Sequence, residues 1–390
     1  MITKDQNLGP KNFIEAMIEG FPTLEKAIDH HRAHLKDYPI DARLNLQVLL
    51  NALGREEEAF AISNELTHLA PQDRRAQFNR GWHLLKRGQF QEGLSYLESG
   101  RVLKTYGNPP LASSRPLWAP ERKKGESVLL SLEGGLGDEI IHVRAAQQLA
   151  RDYQAKVIVA CQPALASVFA RIPEVSAVVQ PEAALGVYHD AWLPGMSAPR
   201  ILGLTYESLS GAPYLTADLE YVLKWQNRLE GRGTRKTKVG IRWSGNPQFE
   251  HQQLRLFPKE ILHSLSTISG VQLYSFQRDH DLAELPPEII DLSRELQTWE
   301  ETAAALTQMD LVISSCTSVA HMAAALGKPT WVVVPVMPYY VWAREGERSP
   351  WYDSVRLFRQ EKYGSWERVG KSLREKLQAL IGQPTDFAEP

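Results

Sequence analysis

Cysteine is almost missing from this chain: there are two in 390 residues, Cys161 and Cys316. That excludes a disulfide scaffold and a cysteine-built zinc site. Neither sign of charge is in excess. Forty-four Lys and Arg face 46 Asp and Glu, for a formal net charge of −2 and an isoelectric point near 6.6. Nothing global therefore favours nucleic acid or an acidic lipid surface. The basic clusters Arg122–Lys124 and Arg228–Lys238 fall at element boundaries and read as solvated linkers. No apolar run reaches the roughly 20 residues of a membrane span. The opening stretch MITKDQNLGPKNF lacks the apolar centre of a signal peptide, so a cytoplasmic location is expected. What remains is ordinary for a globular protein: 43% hydrophobic and 23% charged residues. At about 150 residues per domain, the length implies two or three domains.

One stretch organises the rest. Val128–Leu132 is an apolar run of strand length, followed at once by Gly134, Gly135 and Gly137. Asp138 then opens a segment with Ile141, Ala145 and Leu149 at helical spacing. Strand, glycine turn and helix start together make a place where backbone N–H groups can meet phosphate. The loop is neither a Walker loop nor a full G-x-G-x-x-G, and an acid at a helix start also serves as a plain cap. Ligand site and tight turn both remain open from these residues.

Upstream, residues 13–105 read as helices with an internal period of 34 residues. Leu50 and Gly54 align with Leu84 and Gly88, Glu58-Ala59 with Glu92-Gly93, and Ile62 with Tyr96, while Gly20 lies under Gly54. The period and the glycine turns resemble tetratricopeptide repeats, which stack on their neighbours and present a binding face. A simple helical cap is the alternative. Asn108–Gly125 holds four prolines and a charge run, so it reads as a linker with Trp118 pinning it down. From Ser127 strands and helices alternate in two blocks, separated by a basic Gly/Thr-rich hinge at Gly231–Thr237. Such alternation implies mainly parallel sheets with ligands at the carboxyl ends of the strands.

Residues 78–370 resemble the tetratricopeptide-containing bacterial glycosyltransferases related to the lipopolysaccharide heptosyltransferases, and more distantly the O-linked N-acetylglucosamine transferases. The resemblance is carried by Phe78–Glu98, the Trp118 linker, EGGLGDEIIHVR (Glu133–Arg144), Leu193–Thr205, Gly211–Leu215, Thr302–Val332 and Ser349–Gln360. It implies α plus α/β architecture: a helical repeat domain (1–107), a linker (108–125), and a GT-B fold of two Rossmann-like domains. These would be an acceptor-side domain (126–235) and a nucleotide-sugar donor domain (236–390). Two positions depart from the pattern. Cys316-Thr317 stands where the family has Asp-Thr, and Arg255-Leu256 where it has Arg-Ser.

The implied reaction is a metal-independent, inverting transfer from a nucleotide-diphosphate-sugar, with no cofactor. The acceptor would be a protein, a glycan or a lipid-linked saccharide held partly by the helical repeats. Asp138 is the expected general base, with His142 one turn on as an assistant. Gly135, Gly137, Arg242, Gln277, Cys316, Thr317, Ser318 and His321 are the expected donor-binding residues, with His251 and Arg255 as looser candidates. Thr317 and Ser318 open a helix that can receive phosphate, and His321 shares its face. Asp279-His280-Asp281 has the look of a metal-binding triplet but reads as a solvated turn, and no metal ligand is assigned. The aromatics around Trp331–Trp351 read mostly as core. The altered Cys316 and arginine loop also fit a catalytically silent GT-B scaffold that binds a nucleotide or a protein. A nucleotide-sugar epimerase is a third reading. The last repeat is expected to pack on the first α/β block, with helices 13–69 contributing less to that junction and more to an exposed face.

Overall fold

The computed structural model describes residues 13–106, 109–230, 236–245, 252–278 and 285–382. Its first part is all helix: Phe13–Ile18, Leu24–Ala33, Asp41–Ala52, Glu56–Leu69, Arg74–Lys86, Phe90–Leu97 and Ser99–Leu103. Local chemistry starts two of them. Thr23 Oγ1 accepts from Lys26 N at 3.3 Å, and the Asp73 carboxylate accepts from Arg75 N and Ala76 N at 2.8 and 3.2 Å. The glycines of the 34-residue period all adopt the left-handed conformation, with φ of +87° at Gly20, +72° at Gly54 and +84° at Gly88. Only glycine takes that turn freely, which accounts for the period in the sequence.

Two parallel sheets follow. The first has β1 (Ser127–Ser131), β2 (Lys156–Ala160), β3 (Val175–Val179) and β4 (Ala191–Pro194), in the order β3-β2-β1-β4. The second has β5 (Thr237–Arg242), β6 (Val271–Ser275), β7 (Ile290–Asp291), β8 (Leu311–Ser315), β9 (Thr330–Val334) and β10 (Val355–Arg359), in the order β10-β9-β8-β5-β6-β7. Val128, Leu129 and Leu130 are fully buried, as are Val312 and Ile313. Strands covered on both faces read as unbroken apolar runs, and these do. In each sheet the chain reverses direction of growth beside its first strand, between β1 and β4 and between β5 and β8. The crevices of the two sheets therefore lie at the carboxyl ends of β1 and β8.

Several elements differ from the sequence reading. The helix after the glycine loop starts earlier, at Leu136, and is two helices: Leu136–His142 and Ala145–Tyr153. Arg144 stands at the break. Its Nε donates to Ile141 O at 3.0 Å, taking the carbonyl that a continuous helix would give to residue 145. β7 was not foreseen, since two residues show no alternation.

The larger correction concerns the first helices, which do not stand clear of the α/β body. Ile14, Val48 and Ala52 bury themselves with Leu254, Met337 and Tyr363 of the second block. Tyr363 N donates to Ala52 O at 2.8 Å and Tyr363 Oη to Glu15 at 3.1 Å. The last helices grip the first block instead: Gln91 Nε2 donates to Leu204 O at 2.6 Å and Tyr206 Oη to Leu85 O at 3.0 Å. The helical layer thus spans both blocks. Val48 and Ala52 sit one helical turn apart and Ile14 lies on another helix, a pattern that a sequence cannot assign to one partner or another. The linker is pinned as expected: Trp118 is buried, its N–H donates to Trp192 O at 2.8 Å, and its ring meets Tyr153 edge-on at 4.8 Å.

Candidate functional site

The glycine loop follows β1 directly. Gly134 has φ +82°, and a Cβ there would fall 2.6 Å from Asp138 Oδ2, so no other residue fits. Gly137 serves a different purpose. A Cβ there would lie 3.2 Å from His321 Cδ2 and 3.5 Å from Ser318 Cα. Its bare face lets the start of helix Leu136–His142 close on the start of helix Ser318–Ala325. The elements after β1 and after β8 therefore meet, and the structure brings together Gly135, Gly137, Asp138, Thr317, Ser318 and His321. The matched segment Gly211–Leu215 helps hold this junction, with Tyr214 N and Leu215 N both donating to Ala325 O at 3.0 and 3.1 Å.

Asp138 is half-buried. Its Oδ2 accepts from Gly135 N at 2.7 Å, so it does cap its helix. Burial nevertheless pushes its pKa up to about 6, against the opposing pull of hydrogen bonds from Tyr339 and Gly135 and of the Arg255 charge. Tyr339, on the loop after β9, brings its phenol near this carboxylate from the opposite block and favours its charged form. Capping and proton transfer are thus compatible in one side chain, because the cap uses one oxygen.

Across the junction, Thr317 has the extended backbone of an N-cap, but its side chain makes no capping bond. Its Oγ1 sits 3.0 Å from Ser314 Oγ instead. No side chain of Thr317 covers the first N–H groups of helix Ser318–Ala325, which suits an anion. His321 is buried, stacks on Trp342 at 4.9 Å, and has Nδ1 3.2 Å from Tyr352 Oη. Burial first, then the Arg144 and Arg255 charges, push its pKa down to about 3, so it is neutral at pH 7. A neutral imidazole carries one N–H to offer. Cys316 is buried with its thiol pKa raised by burial, and its Sγ accepts from Trp342 Nε1 at 3.0 Å. Arg255 donates to Cys316 O at 2.9 Å.

Other expected residues lie further back. Gln277 is fully buried, and its amide is bonded to Ser244 at both ends, each at 3.0 Å. Fully buried here, it presents no surface to a base or ribose. Arg242 donates to Ser244 O and Phe276 O, both at 3.0 Å, bracing the ends of β5 and β6. His142 is buried with Nε2 2.5 Å from Tyr340 Oη, and burial brings its pKa down to about 3. It faces that phenol, not Asp138. His251, Asp279 and Asp281 lie outside the described residues. Among the described residues, no group of three or more His, Cys, Asp or Glu is placed to hold a metal ion.

Sequence reasoning missed Tyr339, Tyr340 and Trp342 as neighbours of the junction, having assigned that aromatic run mostly to core. It also missed Glu133 and Arg101, considered below. The one signal for Glu133 was its place directly before the glycines.

No protein-family model matches the chain. Protein FlbA of Caulobacter vibrioides is 25% identical over 397 residues, covering 93% of this chain, which spans 63% of that relative's length. Among solved structures, ADP-heptose lps heptosyltransferase II of E. coli is 14% identical, at a TM-score of 0.48, over 65% of this chain and 98% of that one. The glycosyl transferase family 9 structure from Veillonella parvula is 12% identical, over 68% of this chain and 99% of that one, at a TM-score of 0.51. The α/β part of the chain has a fold resembling that of this glycosyl transferase, with two parallel sheets as in the GT-B fold.

Proposed function

We propose that the chain is a glycosyltransferase that moves a sugar from a nucleotide-diphosphate-sugar to an acceptor hydroxyl, with inversion and without a metal. The observation that carries this is the meeting of the elements after β1 and β8, with a carboxylate of raised pKa on one side and a helix start with a buried neutral histidine on the other. Asp138 takes the proton of the acceptor hydroxyl as that oxygen attacks the anomeric carbon. The bond from that carbon to the diphosphate oxygen breaks, and the electron pair leaves with the nucleoside diphosphate. The N–H groups at Ser318, with His321, receive the charge on the leaving group. In this reading residues 126–235 form the acceptor side and 236–390 the donor side, joined to the tetratricopeptide-like repeat domain 1–107 by the linker 108–125. Arg242 and Gln277 support the donor side from behind. The acceptor is a protein, glycan or lipid-linked saccharide.

The direct test is incubation of the purified chain with a panel of nucleotide-sugars, following release of nucleoside diphosphate with and without EDTA. Release that persists in EDTA supports the reading. No release and no binding of any nucleotide-sugar overturns it and leaves a silent scaffold; loss of release restored by manganese removes its metal-independent part.

Two variants are diagnostic. His321→Ala should weaken nucleoside diphosphate binding by about tenfold while changing nucleoside binding little, because its partner is a phosphate and one charge-assisted hydrogen bond is worth roughly 1.5–3 kcal/mol. Equal loss for both ligands would mark a packing defect. Tyr339→Phe should move the acid limb of the pH profile. The wild-type rate should rise as Asp138 ionises around pH 6 and level off above. The phenol stabilises the charged carboxylate, so its loss raises that pKa and shifts the limb to higher pH. A limb that stays in place means Asp138 is not the titrating base.

A further inference from the structure

The glycine loop is held from outside the α/β body. Glu133 is buried and directly precedes Gly134. Its carboxylate receives both guanidinium nitrogens of Arg101, Nη2 at 2.6 Å to Oε1 and Nη1 to Oε2, and Met196 N at 2.9 Å. Arg101 belongs to the last helix of the helical layer, and Met196 follows β4. Arg101 also donates to Ser197 Oγ at 2.8 Å and through Nε to Glu98 at 2.9 Å. Arg200 completes the cluster on Glu98 at 3.3 Å and makes no bond to Glu133 among those formed here.

We infer that Arg101 is a positioning residue: it fixes Glu133, and through it the glycine loop and Asp138, making the helical layer a working part of the site. The geometry supports this over simple charge burial. Glu133 joins three separate segments, the loop after β1, the turn after β4, and the helical layer, on the two sides of the first sheet's reversal. The next residue is a glycine in the left-handed region, so no side chain of its own steers the loop. What steers it is the fork-on-carboxylate pair, which a lysine cannot reproduce at two points. The meaning for catalysis rests on the proposed transfer reaction; the tether does not.

The full chain is compared with Arg101→Lys, Glu133→Gln and, as control, Arg200→Lys, by amide hydrogen exchange and by steady-state kinetics. Arg101→Lys should raise exchange in a peptide covering residues 133–142 at least about tenfold, with peptides over β2 and β8 unchanged. Arg200→Lys should leave 133–142 as in wild type. Glu133→Gln gives the same answer should Arg101→Lys fail to fold, since it keeps an oxygen for Met196 N. In the kinetics, kcat for sugar transfer should fall about tenfold with donor KM within twofold, because the base is displaced and the donor side is not. Unchanged exchange at 133–142, or an equal rise in Arg200→Lys, overturns the inference whatever the activity. Increased exchange in a chain that turns over no nucleotide-sugar would keep the tether and sink the proposed function.

Discussion

Asp138→Asn should give a folded protein that has lost transfer by about 10²- to 10⁴-fold, the usual contribution of a positioned base. The amide keeps an oxygen for Gly135 N–H, so the helix start survives, and donor binding on the far side of the junction is unaffected. Stability should move the other way. The folded pKa of Asp138 lies near 6, above the ordinary value of 3.8, because burial penalises its charge. Such a carboxyl destabilises the fold progressively as pH rises from about 4 through 6, and fully above that. The asparagine variant carries no charge there, so it should melt higher than wild type at pH 8 and nearly level with it at pH 4. Thermal melts at the two pH values and a transfer assay check both halves. Wild-type transfer by the variant would reduce Asp138 to a cap.

Removing residues 1–70 is expected to destabilise the whole chain, contrary to the behaviour of a detachable end repeat. The deletion takes away Ile14, Val48 and Ala52, and leaves Leu254, now 4% exposed, and Tyr363 without their cover. It also removes Asn64, Glu56 and Glu57, the partners of Arg80, Lys86 and Arg87 on the helix that remains and on its end. Each fully buried apolar side chain contributes about 1.5–3 kcal/mol. Several such losses should lower Tm by on the order of 10 °C. Limited proteolysis should find a new cut near residues 252–258, where the cover was. A truncated chain that melts within a few degrees of the full one, and binds nucleotide-sugar equally, would make these helices a separable module.

These two expected outcomes bear on what a sequence discloses. The strand runs KVIVA and DLVIS and the glycine turn were legible, because backbone period and glycine conformation are local properties. The 34-residue period was legible for the same reason. What Asp138 does was half legible: its place at a helix start was plain, and the Tyr339 phenol reaching it from 201 residues further along the chain was not. Gln277 and Arg242 were rightly seen at strand ends, but Ser244 takes both amide ends of Gln277 and one donor of Arg242, and pairing across a loop has no sequence signature. Arg101 carried no sequence signal of its own. Only the fold brings Glu133 beneath it.

The helical layer that grips both blocks also sets a schedule for biosynthesis. Ala52 waits for Tyr363, which leaves the ribosome roughly 300 residues later. At about 5–20 residues per second, that is an interval on the order of 15–60 s. For that time Ile14 and Val48 lack their final partners, and the nascent chain carries an uncovered apolar surface. Synthesis rate and holdase supply, more than the stability of the finished protein, would then govern how much of it reaches the native state.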